Sequence, residues 1–178
     1  GKFAVLDLSD WIRQSVERAS AQRVRSLFVE INPELAADRR FENRWSAKRR
    51  DAAVLVPVIN RPEGASILFT VRSSDMPSHA GQISFPGGKP HPDDRDAIAT
   101  ALREAQEEVN IPADAVRVVG SLGVHHGGLG FAVTPVIGLV DPSAPIRACP
   151  REVAEIFEAP LAWALDLANH LIEEREND

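Results

Sequence analysis

Phe85-Pro86-Gly87-Gly88 stands a short way before Arg103-Glu104-Ala105-Gln106-Glu107-Glu108-Val109-Asn110-Ile111. The second segment predicts the end of a helix that starts near Asp94 or Arg95, with Asn110 as its left-handed stop residue. At about 100° per residue, Ile98, Leu102, Ala105 and Val109 share one narrow arc, and Glu104, Glu107 and Glu108 lie on the opposite side. Like charges at this spacing repel by a few tenths of a kcal/mol per pair on an exposed helix. A hard divalent cation over that face would remove the conflict, since Mg²⁺ takes oxygen ligands and keeps waters for a phosphate-bearing substrate. Gly87-Gly88 supplies a backbone free of side chains just upstream, open to close approach by a cation or a diphosphate. Arg103 sits four residues before Glu107 and is placed to hold it in one rotamer.

Upstream of the glycines, Ala52-Ala53-Val54-Leu55-Val56-Pro57-Val58-Ile59 and Ser66-Ile67-Leu68-Phe69-Thr70-Val71-Arg72 are β-branched runs separated by Asn60-Arg61-Pro62-Glu63-Gly64. That is the pattern of a hairpin. Pro57, which cannot donate to a ladder, is expected at an edge or a bulge. Residues 73–94 read as a loop in which only Gln82 to Phe85 resembles a strand. Downstream, Val116 to Val124 and Phe131 to Val140 read as strands, the chain from Arg151 as loop or short strand, and Leu161 to Arg175 as a helix. Residues 9–30 carry an amphipathic pattern opened by Ser9-Asp10, one or two helices, and residues 33–50 show no clear period. A central helix among strands, with helices at both ends, is a mixed α+β plan.

With 178 residues, 44% apolar and 26% charged, the chain suits one domain with a sizeable core. A net charge of −6 makes it a poor partner for nucleic acid, which needs clustered Lys and Arg. No apolar run is long enough to span a bilayer, so no membrane is expected. Nothing at the N-terminus reads as a signal peptide, and a start at Gly1 without Met reads as a trimmed end or the edge of an expressed segment. The single cysteine, Cys149, excludes an internal disulfide and a multi-cysteine zinc site and fits a reducing, cytoplasmic compartment. His125-His126 is not expected to chelate one ion, because neighbours on a strand point to opposite faces. The oligomeric state is not legible.

The order of hairpin, Gly-Gly loop and tri-glutamate helix resembles the Nudix hydrolases, whose box reads G-x5-E-x7-R-E-U-x-E-E-x-G-U with U aliphatic. Arg103 to Ile111 fits its second half, with Ala105 at U and Asn110 in place of the glycine. The first half departs: counting from Gly88 reaches Asp94 where the box has Glu, one extra residue precedes Arg103, and Asp93, Asp94 and Asp96 are each candidates for the first acidic position. Leu68-Phe69-Thr70-Val71-Arg72-Ser73, Gly81 and Phe85-Pro86-Gly87-Gly88 are similar to the signature of the coenzyme A pyrophosphatase branch. Pro77 stands where that signature carries an Arg, so a CoA phosphate contact would fall to another residue, His79 or Lys89.

The resemblance implies an α/β/α sandwich with a mixed sheet, the box helix and a C-terminal helix packed on it, residues 51–178 as the core and residues 1–50 as a helical extension. It implies metal-dependent hydrolysis of coenzyme A to 3′,5′-ADP and 4′-phosphopantetheine. Mg²⁺ or Mn²⁺ would be held by Glu104, Glu107 and Glu108 with the Gly88 carbonyl, beside Arg103. Of the acidic residues Glu152, Glu155 and Glu158, Glu155 is the one expected to reach the metal. Substrate contacts are expected from Arg72, Ser73, His79, Gly81, Phe85 and Gly87. The rivals are a Nudix enzyme for ADP-ribose, NADH or dinucleoside polyphosphates, a non-catalytic nucleotide sensor, and a purely structural module.

Overall fold

Strand β1, Arg50–Arg61, is buried on both faces: Ala53, Leu55 and Ile59 enter one core, and Val56 and Val58 the other. A continuous Ala/Val/Leu/Ile run is what such a strand requires. These facts come from a computed structural model that describes residues 50–74, 81–126 and 131–165. The turn at Pro62-Glu63 returns the chain as β2, Gly64–Arg72, paired antiparallel from Val58↔Ile67 to Arg61↔Gly64. The hairpin expectation therefore holds. On its other side β1 runs parallel to β7, Phe131–Val140, in register from Arg50↔Phe131 to Ile59↔Val140.

The remaining strands extend this mixed sheet. Strand β3, Ile83–Ser84, pairs with β2; β4, Gly87–Gly88, with β1; β5, Val116–Ser121, and β6, His125–His126, with β7. Strand β8, Val153–Pro160, pairs antiparallel with β2. Helix α1, Ala97–Val109, covers one face, where Ala101, Ala105, Val109 and Ile111 meet Leu55, Ile59, Leu68, Val136 and Val140. Leu55 and Ile59 are fully buried, each contributing about 1.5–3 kcal/mol through lost apolar exposure. The opposite face gathers Val58, Ile67, Phe69 and Phe85 under Leu161 and Ala164 of α2, Leu161–Leu165. Helix, mixed sheet and helix make the expected α/β/α layering.

Several expectations are corrected. Pro57 lies in the middle of a central strand, buried opposite Gly138, not at an edge. It is tolerated because pairing with β4 ends at Val54 and pairing with β2 begins at Val58, which leaves a break in that ladder. Gly87-Gly88 is a short strand and not loop. The chain after Arg151 forms an eight-residue strand, and β5 stops at Ser121. Helix α1 begins at Ala97 because the Asp96 side chain accepts from Ala99 N–H as N-cap, and it ends at Asn110 with φ 54°. The expected helices in 9–30, the extension over 1–49 and the helix beyond Leu165 lie outside the described residues. Arg50, assigned to the extension, opens β1 instead. Among the described residues no helix is long and apolar enough to cross a membrane.

Candidate metal and diphosphate site

The site is built where β4 is squeezed between β1 and α1. A Cβ on Gly87 would overlap the Ala53 carbonyl oxygen and sit 2.6 Å from the Val54 Cα; one on Gly88 would sit 2.6 Å from Glu104 Oε1. The two glycines are thus required by close approach, one to the backbone of β1 and one to a carboxylate of α1. Pro86 supports the same pass by accepting from Leu55 N–H at 2.8 Å. Glu108 Oε2 accepts from Gly87 N–H at 3.1 Å.

The three glutamates do not share one exposed face. Glu108 is 8% exposed, the Glu104 side chain 13% and the Glu107 side chain 52%. The buried face of α1 includes Thr100, Ala101, Ala105, Glu108 and Val109, and Ile98 and Leu102 are only partly buried. The side-chain arc inferred from hydropathy is therefore rotated, because β4 presents glycine backbone and leaves room for carboxylates on the sheet side. Burial pushes the Glu108 carboxyl up to about 7, helped by Glu104 and Glu152 and opposed by Gly87 N–H and Arg72. Burial likewise raises Glu104, against the opposing pull of Arg103.

Arg103 organises the other side of the helix. Its Nε donates to Asp94 Oδ1 at 3.1 Å and its Nη2 to Asp94 Oδ2 at 3.1 Å and to the Lys89 carbonyl at 3.0 Å. Its Nη1 meets Glu107 Oε1 at 3.2 Å and Glu104 Oε1 at 3.0 Å. The hydrogen bond to Asp94 is the main reason the guanidinium is held above its ordinary value. The same bond, with His91 N–H and Thr100 Oγ1, holds Asp94 well below the usual carboxylate range. Among the three Asp candidates, Asp94 is the one that holds the arginine, Asp96 caps the helix, and Asp93 makes an exposed pair with His91.

The chain after α1 closes the site from below. Arg147 N–H and Cys149 N–H donate to the Val109 and Glu108 carbonyls at 3.1 and 2.8 Å, and Asn110 Nδ2 donates to the Pro145 carbonyl. These bonds satisfy helix-end carbonyls and bring Glu152 into the field of Glu104 and Glu108. Ser73, buried, donates its N–H to the Glu152 carbonyl, and Arg72 bonds through its backbone to Gln82 and Gly81. Gly81 needs its φ of 73° for that turn.

Arg72, Ser73, Gly81, Gly87, Gly88, Arg103, Glu104, Glu107 and Glu108 are therefore linked through a few contacts. Two expected residues stand apart from them. Phe85 stacks on Phe69 at 5.0 Å and belongs to the second core, so its ring fixes the approach to Gly87-Gly88. Glu155 is an exposed residue of β8 opposite Val71; Glu152 is the acidic residue that acts on the pair. The hint for it in the sequence was slight: the turn residue Pro150 two positions earlier. His79 lies outside the described residues, and Cys149 is a free, half-buried thiol.

Among the described residues no three His, Cys, Asp or Glu side chains stand close enough to enclose a metal ion. The chemistry of the donors still fits a hard divalent cation. Two buried carboxylates one turn apart, both disfavoured as bare charges, offer oxygen ligands beside open glycine backbone, and Mg²⁺ leaves much of its shell to water and phosphate. A separate cavity of about 310 Å³, lined by residues including Asp51, Ala53, Asp94, Thr100 and Thr134, lies beside the start of α1 and not over the Glu104 and Glu108 pair.

Residues 48–166 match the family model described as the NUDIX domain. The chain is 49% identical over 127 residues to a Photorhabdus laumondii protein named "Uncharacterized Nudix hydrolase NudL", a match covering 71% of this chain and 67% of that protein. It is 49% identical over 126 residues to the Yersinia pestis protein of the same name, covering 71% and 63%. The chain spans about two thirds of the length of these curated relatives, or slightly less. Among solved structures it is similar to RenU, a Nudix hydrolase from M. smegmatis, with TM-score 0.53 and 23% identity over 63% of this chain and 71% of that one. It is also similar to a C. elegans Ap4A hydrolase binary complex, with TM-score 0.54 and 19% identity over 67% and 86%. At such identities these likenesses support the fold alone.

Proposed function

The chain belongs to the Nudix family, and we propose that it hydrolyses the diphosphate bond of coenzyme A or its derivatives, giving 3′,5′-ADP and 4′-phosphopantetheine. The observation that carries the hydrolase reading is the buried pair Glu104 and Glu108 set against Gly87-Gly88, two carboxylates whose charged forms are disfavoured until a cation arrives. The coenzyme A reading rests on the likeness of residues 68–88 to the signature of that branch. The proposed site is Glu104, Glu107, Glu108 and the Gly88 carbonyl for Mg²⁺ or Mn²⁺, with Arg72 and Ser73 toward the substrate. We place Glu152, in preference to Glu155, as the further acidic residue of the site.

A divalent cation held there would neutralise the diphosphate and lower the pKa of a bound water. The chain's own contribution is positioning. Asp94 and the Lys89 carbonyl fix Arg103, and Arg103 fixes the carboxylates of Glu104 and Glu107. Gly87 N–H fixes Glu108. Arg72, at the end of β2, carries a planar guanidinium suited to a phosphate oxygen pair. No covalent protein intermediate is required. A single Cys in a chain of this composition is consistent with a cytoplasmic setting.

The test is product analysis by mass spectrometry after incubation with Mg²⁺ or Mn²⁺ and a panel of CoA, oxidised CoA, ADP-ribose, NADH and a dinucleoside polyphosphate. Release of 3′,5′-ADP with 4′-phosphopantetheine, abolished by a chelator, is the expected result. Turnover of only the other nucleotides retires the coenzyme A reading and keeps the metal site. No turnover of any substrate retires the hydrolase.

A further inference from the structure

Two cations converge on one aromatic ring at the rim of this site. The Arg50 guanidinium carbon lies 4.5 Å from the Phe131 ring centroid, and Lys89 Nζ lies 5.9 Å from the same centroid. The sheet explains the meeting: Arg50 and Phe131 are register partners in the parallel β1–β7 pair, and Lys89 leaves β4 directly after Gly88. Asp51, the acidic neighbour of Arg50, is on the alternate face of β1 and lines the cavity beside α1. Among the described residues neither Arg50 nor Lys89 takes part in an ion pair.

Each cation–ring contact at an exposed position is weakly favourable. Two like charges held at one ring also repel each other. Among the described residues no carboxylate neutralises either cation, so an anion arriving at the ring would be attracted by both. In a chain of net charge −6, this is a local positive island attached to the backbone that carries the metal site. Arg50 lies three residues before Ala53, the partner of Gly88, a separation of about 10 Å along a strand. That distance is on the scale of one nucleotide.

We propose that Arg50, Lys89 and Phe131 form a second anion subsite, which takes a phosphate monoester of the substrate while its diphosphate lies at Glu104, Glu108 and Gly88. The placement rests on the proposed diphosphate site; the chemistry rests on the cluster itself. It makes a nucleotide with an extra phosphomonoester the preferred ligand. The guanidinium offers fork geometry to two phosphate oxygens, the ammonium adds a point charge, and the ring edge and face limit where the anion can sit.

The experiment compares adenosine 3′,5′-bisphosphate with adenosine 5′-monophosphate by titration calorimetry in Mg²⁺, on the full chain. The bisphosphate is expected to bind at least about tenfold tighter, and this preference is expected to fall below about threefold in the double variant Arg50→Ala with Lys89→Met. Arg50→Lys should restore part of it, which a merely structural role would not. Equal affinity for both nucleotides in the unsubstituted protein, or a preference that survives the double variant, overturns the subsite. The same proteins assayed on CoA and dephospho-CoA separate the two readings. Binding preference without metal-dependent turnover retires the hydrolase and keeps the subsite; turnover without preference does the reverse.

Discussion

Glu108 and Glu158 are both glutamates on the sheet's flanks with a well-formed hydrogen bond, and their environments drive them in opposite directions. Glu158 accepts from Arg61 Nε at 3.2 Å and from Ser66 Oγ at 2.6 Å, and the arginine holds its carboxyl below the ordinary value. Glu108 accepts from one backbone N–H and is pushed up to about 7 by burial, with Glu104 and Glu152 adding to the rise and Arg72 opposing it. The first is a completed ion pair and stabilises the fold. The second is an incomplete arrangement whose cost makes sense only if something positive arrives. The difference separates a structural carboxylate from a functional one more sharply than residue type or exposure does.

The largest expected effect breaks that contrast at its functional end. Glu108→Gln keeps the shape and the acceptor for Gly87 N–H but removes the charge. Turnover is expected to fall by more than about 100-fold, while thermal stability in chelator at pH 8 stays the same or rises, because a buried uncompensated charge has been removed. Steady-state rates and melting curves on one preparation check both halves. A variant that unfolds, or one that keeps its rate, would place Glu108 with Glu158 among structural residues.

The glycines sharpen the comparison next. Gly88→Ala meets the end of the Glu104 side chain, which can swing away; the expected result is a folded protein with about 10- to 100-fold less turnover, the range for a disturbed support of a metal ligand. Gly87→Ala meets the backbone of Ala53 and Val54, which cannot move without breaking β1. It should cost about 1–3 kcal/mol of stability, read as a lower denaturant midpoint. If the two variants behaved alike, β4 would have no distinct structural and functional sides.

Asp94→Asn should lower kcat by about tenfold with little loss of stability, since Arg103 would keep Glu104, Glu107 and the Lys89 carbonyl but lose its fork partner. A change in KM alone would argue that Asp94 acts on substrate and not through Arg103.

How much of this was legible in the sequence follows from where the information lies. The Asn110 stop and the hairpin turn are local patterns, and the structure places them as expected; the tri-glutamate run is legible as a pattern, but its three side chains differ in burial. Pro57 and the rotated arc of α1 were not legible, because both depend on what lies across from them: a break between two ladders in one case, a glycine strand in the other. The surroundings of Glu152 and Glu155 depend on tertiary contacts in the same way. The sequence shows which residues near β8 are acidic, but it does not show that Glu152 lies in the field of Glu104 and Glu108. Asp94 shows the reverse: its spacing from Gly88 named it, and only the contact with Arg103 distinguished it from Asp93 and Asp96.

The smallest effect tests the structural end of the comparison. Glu158 has a folded-state pKa below its unfolded value, so the folded state binds fewer protons than the unfolded state in the window between them. Its contribution is fully present above the ordinary carboxylate range, about pH 5 and higher, and is lost as the pH falls through the lowered value. Arg61 and Glu158 are each more than two-thirds buried at the side chain, so the pair should contribute about 1 kcal/mol, or roughly 2–4 °C in melting temperature for a chain of this size. Glu158→Gln should therefore melt lower than the unsubstituted protein at pH 7, converge with it near pH 3, and hydrolyse substrate at an unchanged kcat. A difference that persisted at low pH would mean that the side chain stabilises by packing and not by charge, and the opposition between the two glutamates would then reduce to one of burial.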